Sequence, residues 1–292
     1  MLDDYKLAVI SREVSYLGRK ETLTGKAKFG IFGDGKELPQ IAMAKVFKEG
    51  DFRSGYYRDQ TFMLAIGQVT VQQFFAQLYA HASIEADPHS GGRQMNAHFS
   101  TRSLDKKGNW KDLTKMKNTS PDMSPTASQM ARLLGLAQAS GIYRNYEELR
   151  EHRDFEKFSN NGNEIAWGTI GDASTSEGVF WETVNAAGVL QVPVVISVWD
   201  DGYGISVPRK YQTTKESISK ALEGFQRTKS EKGFEILTVK GWDYPALLKT
   251  YEKAADIART EHVPVLVHVE EVTHKVLPKR NMWDKVALLD RM

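Results

Sequence analysis

Hydrophobic side chains recur at helical spacing through the first half of the chain. This pattern predicts helices over residues 3–18, Glu37–Phe47, Val69–His81 and from Pro125 to about Tyr143. Between them, Asp87–Asp122 is polar and rich in Gly, Asn, Ser and Lys. Because loops of that length in compact domains are usually functional or disordered, this segment is a candidate for carrying function.

The second half alternates between short apolar runs and amphipathic stretches. It predicts strands at Glu164–Ile170, Pro193–Val198, Phe234–Val239 and Val263–Val272, with helices at Ser176–Leu190, Ser217–Leu222 and Tyr244–Thr260 between them. Strand and helix in repetition indicate a parallel sheet covered on both faces, which is a doubly wound α/β fold.

Composition narrows the classes of function. The 292 residues contain 39 Lys and Arg against 37 Asp and Glu. The chain therefore lacks the large basic excess that would indicate a nucleic-acid partner. The absence of cysteine excludes disulfides, thiolate nucleophiles and zinc–sulfur sites. Apolar runs such as Pro193–Trp199 are too short to span a membrane, and the acidic N-terminus is unlike a signal peptide. We therefore expect a soluble cytoplasmic protein.

Two predicted strands end in acidic residues. One ends in Gly171-Asp172-Ala173-Ser174, and the other in Asp200-Asp201-Gly202-Tyr203. Ligands of doubly wound sheets bind beyond the carboxyl ends of the strands, and Mg²⁺ prefers carboxylate and phosphate oxygens. If the strands are neighbours, Asp172, Asp201 and the backbone carbonyl of Tyr203 would hold Mg²⁺ bound to a diphosphate.

An ordinary explanation exists for each acid, because turns and helix N-caps also favour Asp. Gly33-Asp34-Gly35 provides an internal comparison, since it has a similar composition but no acidic or amide pair follows at a matching distance. We predict that this second glycine-rich segment is only a turn.

The spacing of the two acidic segments resembles the signature of thiamine-diphosphate enzymes, which is Gly-Asp-Gly followed after about 26 residues by Asn-Asn. Here 26 residues, 174–199, separate Gly-Asp-Ala from Asp200-Asp201. Ala173 is a mild departure. Asp201 is a larger one, because its carboxylate would strengthen the metal site but repel the diphosphate.

Residues 171–208 further resemble the α subunit of branched-chain 2-oxoacid dehydrogenase, and the resemblance extends over roughly residues 5–273. Ser124–Gln129 is similar to that family's Ser-Pro-Leu-Ala-Thr-Gln, Tyr57-Arg58 to its Tyr-Arg pair, and Arg93-Gln94-Met95 with His98 to its substrate loop. The resemblance implies a thiamine-diphosphate-binding domain over 1–272 with an N-terminal helical extension, followed by a divergent tail over 273–292.

The same resemblance implies roles for individual residues. Cofactor contacts would come from Tyr57, Arg58, Ser124, Thr126, Gly171, Asp172, Ala173, Ser174, Asp201, Tyr203 and Ile205. The substrate pocket would contain Phe29, Tyr57, Met95 and His98, with His98 catalytic. Each residue also has a structural explanation: Arg58 as a solvated charge, His98 as an exposed loop histidine, Phe29 and Met95 as packing residues, and Ser124 as a helix cap.

Two departures from the family pattern weaken the site. Trp199 stands where the branched-chain family has an Arg that contacts diphosphate. The family's Gly-His-Ser loop after the last strand is absent, and His274 is the only histidine nearby.

By resemblance, the reaction is oxidative decarboxylation of a small 2-oxoacid, with acyl transfer to a lipoyl-bearing acyltransferase. The Glu that activates the cofactor would lie on a β subunit, or on the β half of a fused enzyme. We therefore expect the chain alone to bind thiamine diphosphate weakly and not to turn over. The alternatives are a non-catalytic assembly or regulatory subunit and a transketolase-like half.

Overall fold

The computed structural model describes residues 1–272, so the tail at 273–292, with His274, lies outside the described residues. The helices are α1 (Leu2–Leu23), α2 (Glu37–Val46), α3 (Gln60–Ala65), α4 (Val71–Leu78), α5 (Gln129–Asn145), α6 (Gly178–Leu190), α7 (Ile218–Ala221) and α8 (Tyr244–Asp256). The strands are β1 (Phe52–Ser54), β2 (Asn118–Thr119), β3 (Ala166–Gly171), β4 (Val194–Asp200), β5 (Tyr203–Gly204), β6 (Val207–Pro208), β7 (Glu235–Lys240) and β8 (Val265–Glu270).

Six strands form one parallel sheet in the order β2-β1-β3-β4-β8-β7, and β5 pairs with β6 in a separate short hairpin. Every residue of β4 is buried, as expected for a central strand with helices on both faces. The doubly wound α/β architecture predicted from the sequence is confirmed.

The two faces of the sheet carry separate hydrophobic cores. Val195 and Trp199 of β4 pack in the cluster that contains residues of α2 and α8. Val194, Ile196 and Val198 alternate with them and pack in the cluster that contains residues of α5 and α6. This period of two follows from the pleat of the strand, so each helix layer has its own set of β4 side chains.

Several element bounds differ from those predicted. Helix α5 begins at Gln129 because Ala127 is left-handed, with φ 61°, and cannot be part of an α-helix. Strand β4 extends through Asp200, and a 3₁₀ turn at Ala173–Ser176 precedes α6. The sequence also missed α3, β1 and β2, of which β2 lies inside the polar segment 87–122.

Within residues 1–272, no helix has both the length and the apolar character that a membrane crossing requires.

Candidate functional site

Strands β3 and β4 are direct neighbours, as the site prediction required. Their register pairs Gly171 with Trp199, so Asp172 and Asp200 follow at the same edge of the sheet. Asp172 is 3% exposed, and its Oδ2 has no hydrogen-bond partner among the described residues. Burial, followed by the charges of Asp201 and Asp200, raises the pKa of Asp172 to about 8. The carboxylates therefore converge, and a cation would relieve their repulsion.

Asp200 is held inside the protein. Its Oδ2 accepts hydrogen bonds from His268 Nε2 on β8, at 2.9 Å, and from Arg209. Burial would raise the pKa of Asp200, but the bond from His268 and the charge of Arg209 lower it below its ordinary value. Asp200 thus has its own cationic partner, whereas Asp172 keeps a free oxygen.

Lys36 was missed by sequence analysis. Its Nζ lies 2.8 Å from Asp201 Oδ2, and the Lys36 side chain is 5% exposed. Lys36 immediately precedes α2 and follows the turn at Gly33–Gly35, in which its N–H donates to the Gly33 carbonyl. The predicted turn is confirmed, but it also delivers a buried ammonium to the acidic edge.

The loop after β1 brings Arg58 to the same region. Arg58 Nη1 donates to the Phe32 carbonyl at 2.8 Å, and its guanidinium lies 5.6 Å from the Tyr57 ring centroid. Burial works against its charge, yet Tyr56, Tyr57 and Asp201 keep the pKa of Arg58 above its ordinary value. Arg58 is therefore not a fully solvated surface charge.

Tyr57, His98 and Ser124 form a connected group from three segments. The rings of Tyr57 and His98 stack with centroids 6.5 Å apart, and Ser124 Oγ lies 2.9 Å from His98 Nε2. His98 Nδ1 lies 3.1 Å from the Asn96 carbonyl, which can only accept, so Nδ1 carries the proton and Nε2 accepts from Ser124. Burial lowers the pKa of His98, which favours this neutral form.

The predicted substrate pocket is only partly assembled. Phe29 and Met95 line one shallow groove, whose lining does not include Tyr57 or His98. The structure thus brings Phe29 to Met95 and Tyr57 to His98, but does not unite the four residues in that groove.

Three non-glycine residues beside the predicted motifs adopt left-handed backbone. They are Ala97, Ala127 and Ile205, with φ of 59°, 61° and 56°. Such strain costs about 1–3 kcal/mol per residue and tends to occur at functional sites. Each of the three lies next to or within a predicted contact segment. Among the predicted cofactor contacts, Thr126, Tyr203 and Ile205 expose their side chains to solvent.

Within residues 1–272, no group of three or more His, Cys, Asp or Glu side chains is arranged to hold a metal. The predicted donor set is compatible with this finding, because it has two carboxylates and one backbone carbonyl. Oxygen donors of this kind suit Mg²⁺, which usually takes one or two carboxylates and completes its shell with phosphate and water.

A family model described as Dehydrogenase E1 component matches residues 5–282. The chain belongs to this family. It is an E1 α subunit, so the resemblance found in the sequence is confirmed. Members of the E1 family use thiamine diphosphate and Mg²⁺, and their α subunits pair with a β subunit.

Curated relatives support the same assignment. The chain is 28% identical to the 2-oxoisovalerate dehydrogenase subunit alpha of Bacillus subtilis (strain 168), over 95% of this chain and 71% of the relative. It is 24% identical to the pyruvate dehydrogenase E1 component subunit alpha of Acholeplasma laidlawii, over 99% and 68%. It is 27% identical to the mitochondrial 2-oxoisovalerate dehydrogenase subunit alpha 1 of Arabidopsis thaliana, over 86% and 44%. The chain thus spans about two thirds of the length of the Acholeplasma laidlawii relative and less than half the length of the Arabidopsis thaliana relative.

Proposed function

We propose that this E1 α chain binds Mg²⁺ and thiamine diphosphate and forms the α part of a 2-oxoacid dehydrogenase of the branched-chain type, with pyruvate as the alternative substrate. The observation that carries the proposal is the buried Asp172 carboxylate, which has an unpaired oxygen beside Asp201 at the carboxyl edge of the sheet. A divalent cation fits there because it would offset the charge of the Asp172 carboxylate.

The residues around this edge divide the binding between them. Asp172, Asp201 and the Tyr203 carbonyl would hold Mg²⁺, while Arg58 and the backbone of Gly171–Ser174 would contact the diphosphate. Ser124, Thr126 and Ile205 would contact the organic part of the cofactor. Thiamine diphosphate supplies the carbanion chemistry of decarboxylation, and the protein supplies orientation and charge stabilisation.

His98 would act on the substrate side as a neutral imidazole. Its Nδ1–H donates to the Asn96 carbonyl, so Nε2 is the nitrogen that can accept a proton in the reaction. In this structure Nε2 accepts a hydrogen bond from Ser124 Oγ. Tyr57 stacks on the imidazole and holds its plane. By the family resemblance, Phe29 and Met95 would contact the substrate's side chain, which would then have to reach from His98 into the separate groove that they line.

The proposed enzyme needs other chains. A β subunit, or the β half of a fused enzyme, would supply the acid that activates the cofactor, and a lipoyl-bearing acyltransferase would accept the acyl group. We place this assembly in the cytoplasm. A non-catalytic α-like subunit would keep the fold but lack cofactor binding.

Calorimetric titration of the full chain with thiamine diphosphate, with and without Mg²⁺ and with and without a candidate β chain, tests the proposal. We expect weak Mg²⁺-dependent binding to the chain alone, tighter binding with the β chain, and release of CO₂ from a branched-chain 2-oxoacid only in the mixture. Absence of binding under all conditions would favour the non-catalytic alternative. Steady CO₂ release by the chain alone would contradict the need for a partner.

A further inference from the structure

The carboxylates at the acidic edge differ in how their charge is balanced. Asp200 binds Arg209 and His268, and Asp201 binds Lys36. Asp201 stands where the thiamine-diphosphate signature has a neutral Asn, so its negative charge would ordinarily oppose a diphosphate. The ammonium of Lys36, at 2.8 Å, cancels this charge within the protein.

The ammonium is held in place by its neighbours in the chain. Asp34, two residues earlier, forms an ion pair with Arg19 of α1. Glu37, the next residue, accepts two hydrogen bonds from Arg12 of α1, at 2.6 and 2.8 Å. Because residues on both sides of Lys36 are bound to α1, the backbone of Lys36 is fixed, and its side chain enters the site in a defined direction.

Trp199 supplies no charge at this edge, so any repulsion by Asp201 has to be balanced by another residue. The Trp199 indole is fully buried in the core between the sheet and the layer that contains α2, so the position where the branched-chain family has an Arg supplies no charge. Helix α2 covers that same face, and Lys36 immediately precedes it. Lys36 therefore approaches Asp201 from the face of the sheet on which Trp199 packs.

We propose that Lys36 and Asp201 act as one neutral unit in the diphosphate site, in the place of the neutral Asn of the family signature. The unit presents a carboxylate oxygen to a metal ion and N–H donors to a phosphate oxygen, as the carbonyl and NH₂ of an Asn side chain would. This inference rests on the proposed function, because it concerns binding of the same Mg²⁺ and diphosphate.

A double-mutant cycle tests whether the two residues act together. Affinity for thiamine diphosphate in saturating Mg²⁺ is measured by calorimetry on the full chain with Asp201→Asn, Lys36→Met and both changes. Lys36→Met should weaken binding at least about tenfold when Asp201 is present, because an uncompensated carboxylate then faces the diphosphate. The same change in the Asp201→Asn chain should weaken binding by less than about threefold, as expected for coupled residues.

The controls separate charge from folding. Lys36→Arg should bind within about threefold of the wild type, because the charge is kept. Lys253→Met removes an exposed lysine of α8 that pairs with Glu235 of β7, and should leave affinity unchanged. Thermal unfolding without ligand identifies any variant that does not fold, and Lys36→Gln then replaces Lys36→Met.

The outcomes distinguish this inference from the proposed function. Equal losses from the Lys36 change in both backgrounds would show independent residues and overturn the inference alone. A wild-type chain that binds no thiamine diphosphate, even with Mg²⁺ and a β chain, would overturn the proposed function together with the inference.

Discussion

A buried carboxylate without a partner costs folding stability unless a ligand uses it. Asp172 is such a group, because its Oδ2 has no hydrogen-bond partner among the described residues and its pKa is raised to about 8 by burial and by Asp201 and Asp200. Asp59 differs because its Oδ2 forms a buried ion pair with Arg53, although its Oδ1 also has no hydrogen-bond partner among the described residues. One acid is arranged for a ligand, and the other for the fold.

Asp172→Asn should therefore separate binding from stability. We expect the unfolding free energy without ligand to stay within about 1 kcal/mol of wild type or to rise, because no ion pair is broken. Mg²⁺ affinity should fall at least tenfold, since even outer partners of a metal site are worth roughly 10- to 100-fold. Urea unfolding and Mg²⁺ titration measure the two effects. Asp59→Asn, which breaks a buried pair, should instead lose about 3–5 kcal/mol.

Asp172 and Asp201 could be predicted because each follows an apolar strand, and neighbouring parallel strands bring their ends together. Lys36 could not be predicted in this way. It lies 165 residues from its partner Asp201 and belongs to a turn whose sequence resembles many others. The only local signal is that a lysine within a glycine-rich turn precedes an apolar helix, which says nothing about where its ammonium goes. The grouping of Tyr57, His98 and Ser124 required the family resemblance for the same reason.

Elements with a long hydrophobic repeat were predicted well, and short ones were not. Helix α6 has enough apolar positions to define a helical period, and strand β4 is a nearly continuous apolar run between turn residues. Strand β2 has two residues, both supplied with partners by segments distant in the chain, so no local period exists. The late start of α5 depends on the left-handed backbone of Ala127, and an alanine in the sequence gives no indication of that conformation.

The contact between α5 and the sheet requires a glycine in β3. A Cβ added to Gly168 would lie 2.1 Å from Leu133 Cδ2, and Leu133 is fully buried. Gly168→Ala should therefore lower the unfolding free energy by about 1–3 kcal/mol, as overpacking does. Chemical denaturation measures the loss, and Leu133→Val in the same chain should recover part of it.

Gly135 provides the matched control on α5. Nothing lies within 4 Å of a Cβ added there, so Gly135→Ala should stabilise the chain by about 0.5–1 kcal/mol through helix propensity. If Gly168→Ala were as stable as Gly135→Ala, the close approach of α5 to β3 would be wrong.

Across the whole molecule, one buried network joins the segments that form the site. Arg53 of β1 is fully buried and forms ion pairs with Asp59 and Asp122. Asp59 also accepts from Tyr56 N–H and from Thr169 of β3, while Asp122 accepts from the N–H of Phe99, next to His98. The loop that carries Tyr57 and Arg58, the loop that carries His98 and the segment before Ser124 therefore share one charged centre.

This centre should make stability depend on pH in the acid range. Burial raises the pKa of Asp122 to about 6, against 3.8 for an ordinary Asp, even though Arg53 opposes the shift. The folded state therefore holds this proton more tightly than the unfolded state. The stability that comes from protonating Asp122 is complete below about pH 4 and is lost as pH rises through about 6. At about 1.4 kcal/mol per pKa unit, the total is roughly 3 kcal/mol.

Urea unfolding of the wild type and of Asp122→Asn between pH 4 and pH 7 isolates this contribution. Because Asn does not titrate, the stability of the wild type minus that of the variant should fall as pH rises through the interval. Asp105→Asn is the control: hydrogen bonds from the Asn109 backbone and side chain lower the pKa of the exposed Asp105 carboxyl, so the corresponding difference should rise only as pH increases toward about 4 and stay flat from about pH 5 to pH 7. A difference for Asp122 that is flat, or that rises with pH, would mean that Arg53 outweighs burial and that the network is a fully ionised triad.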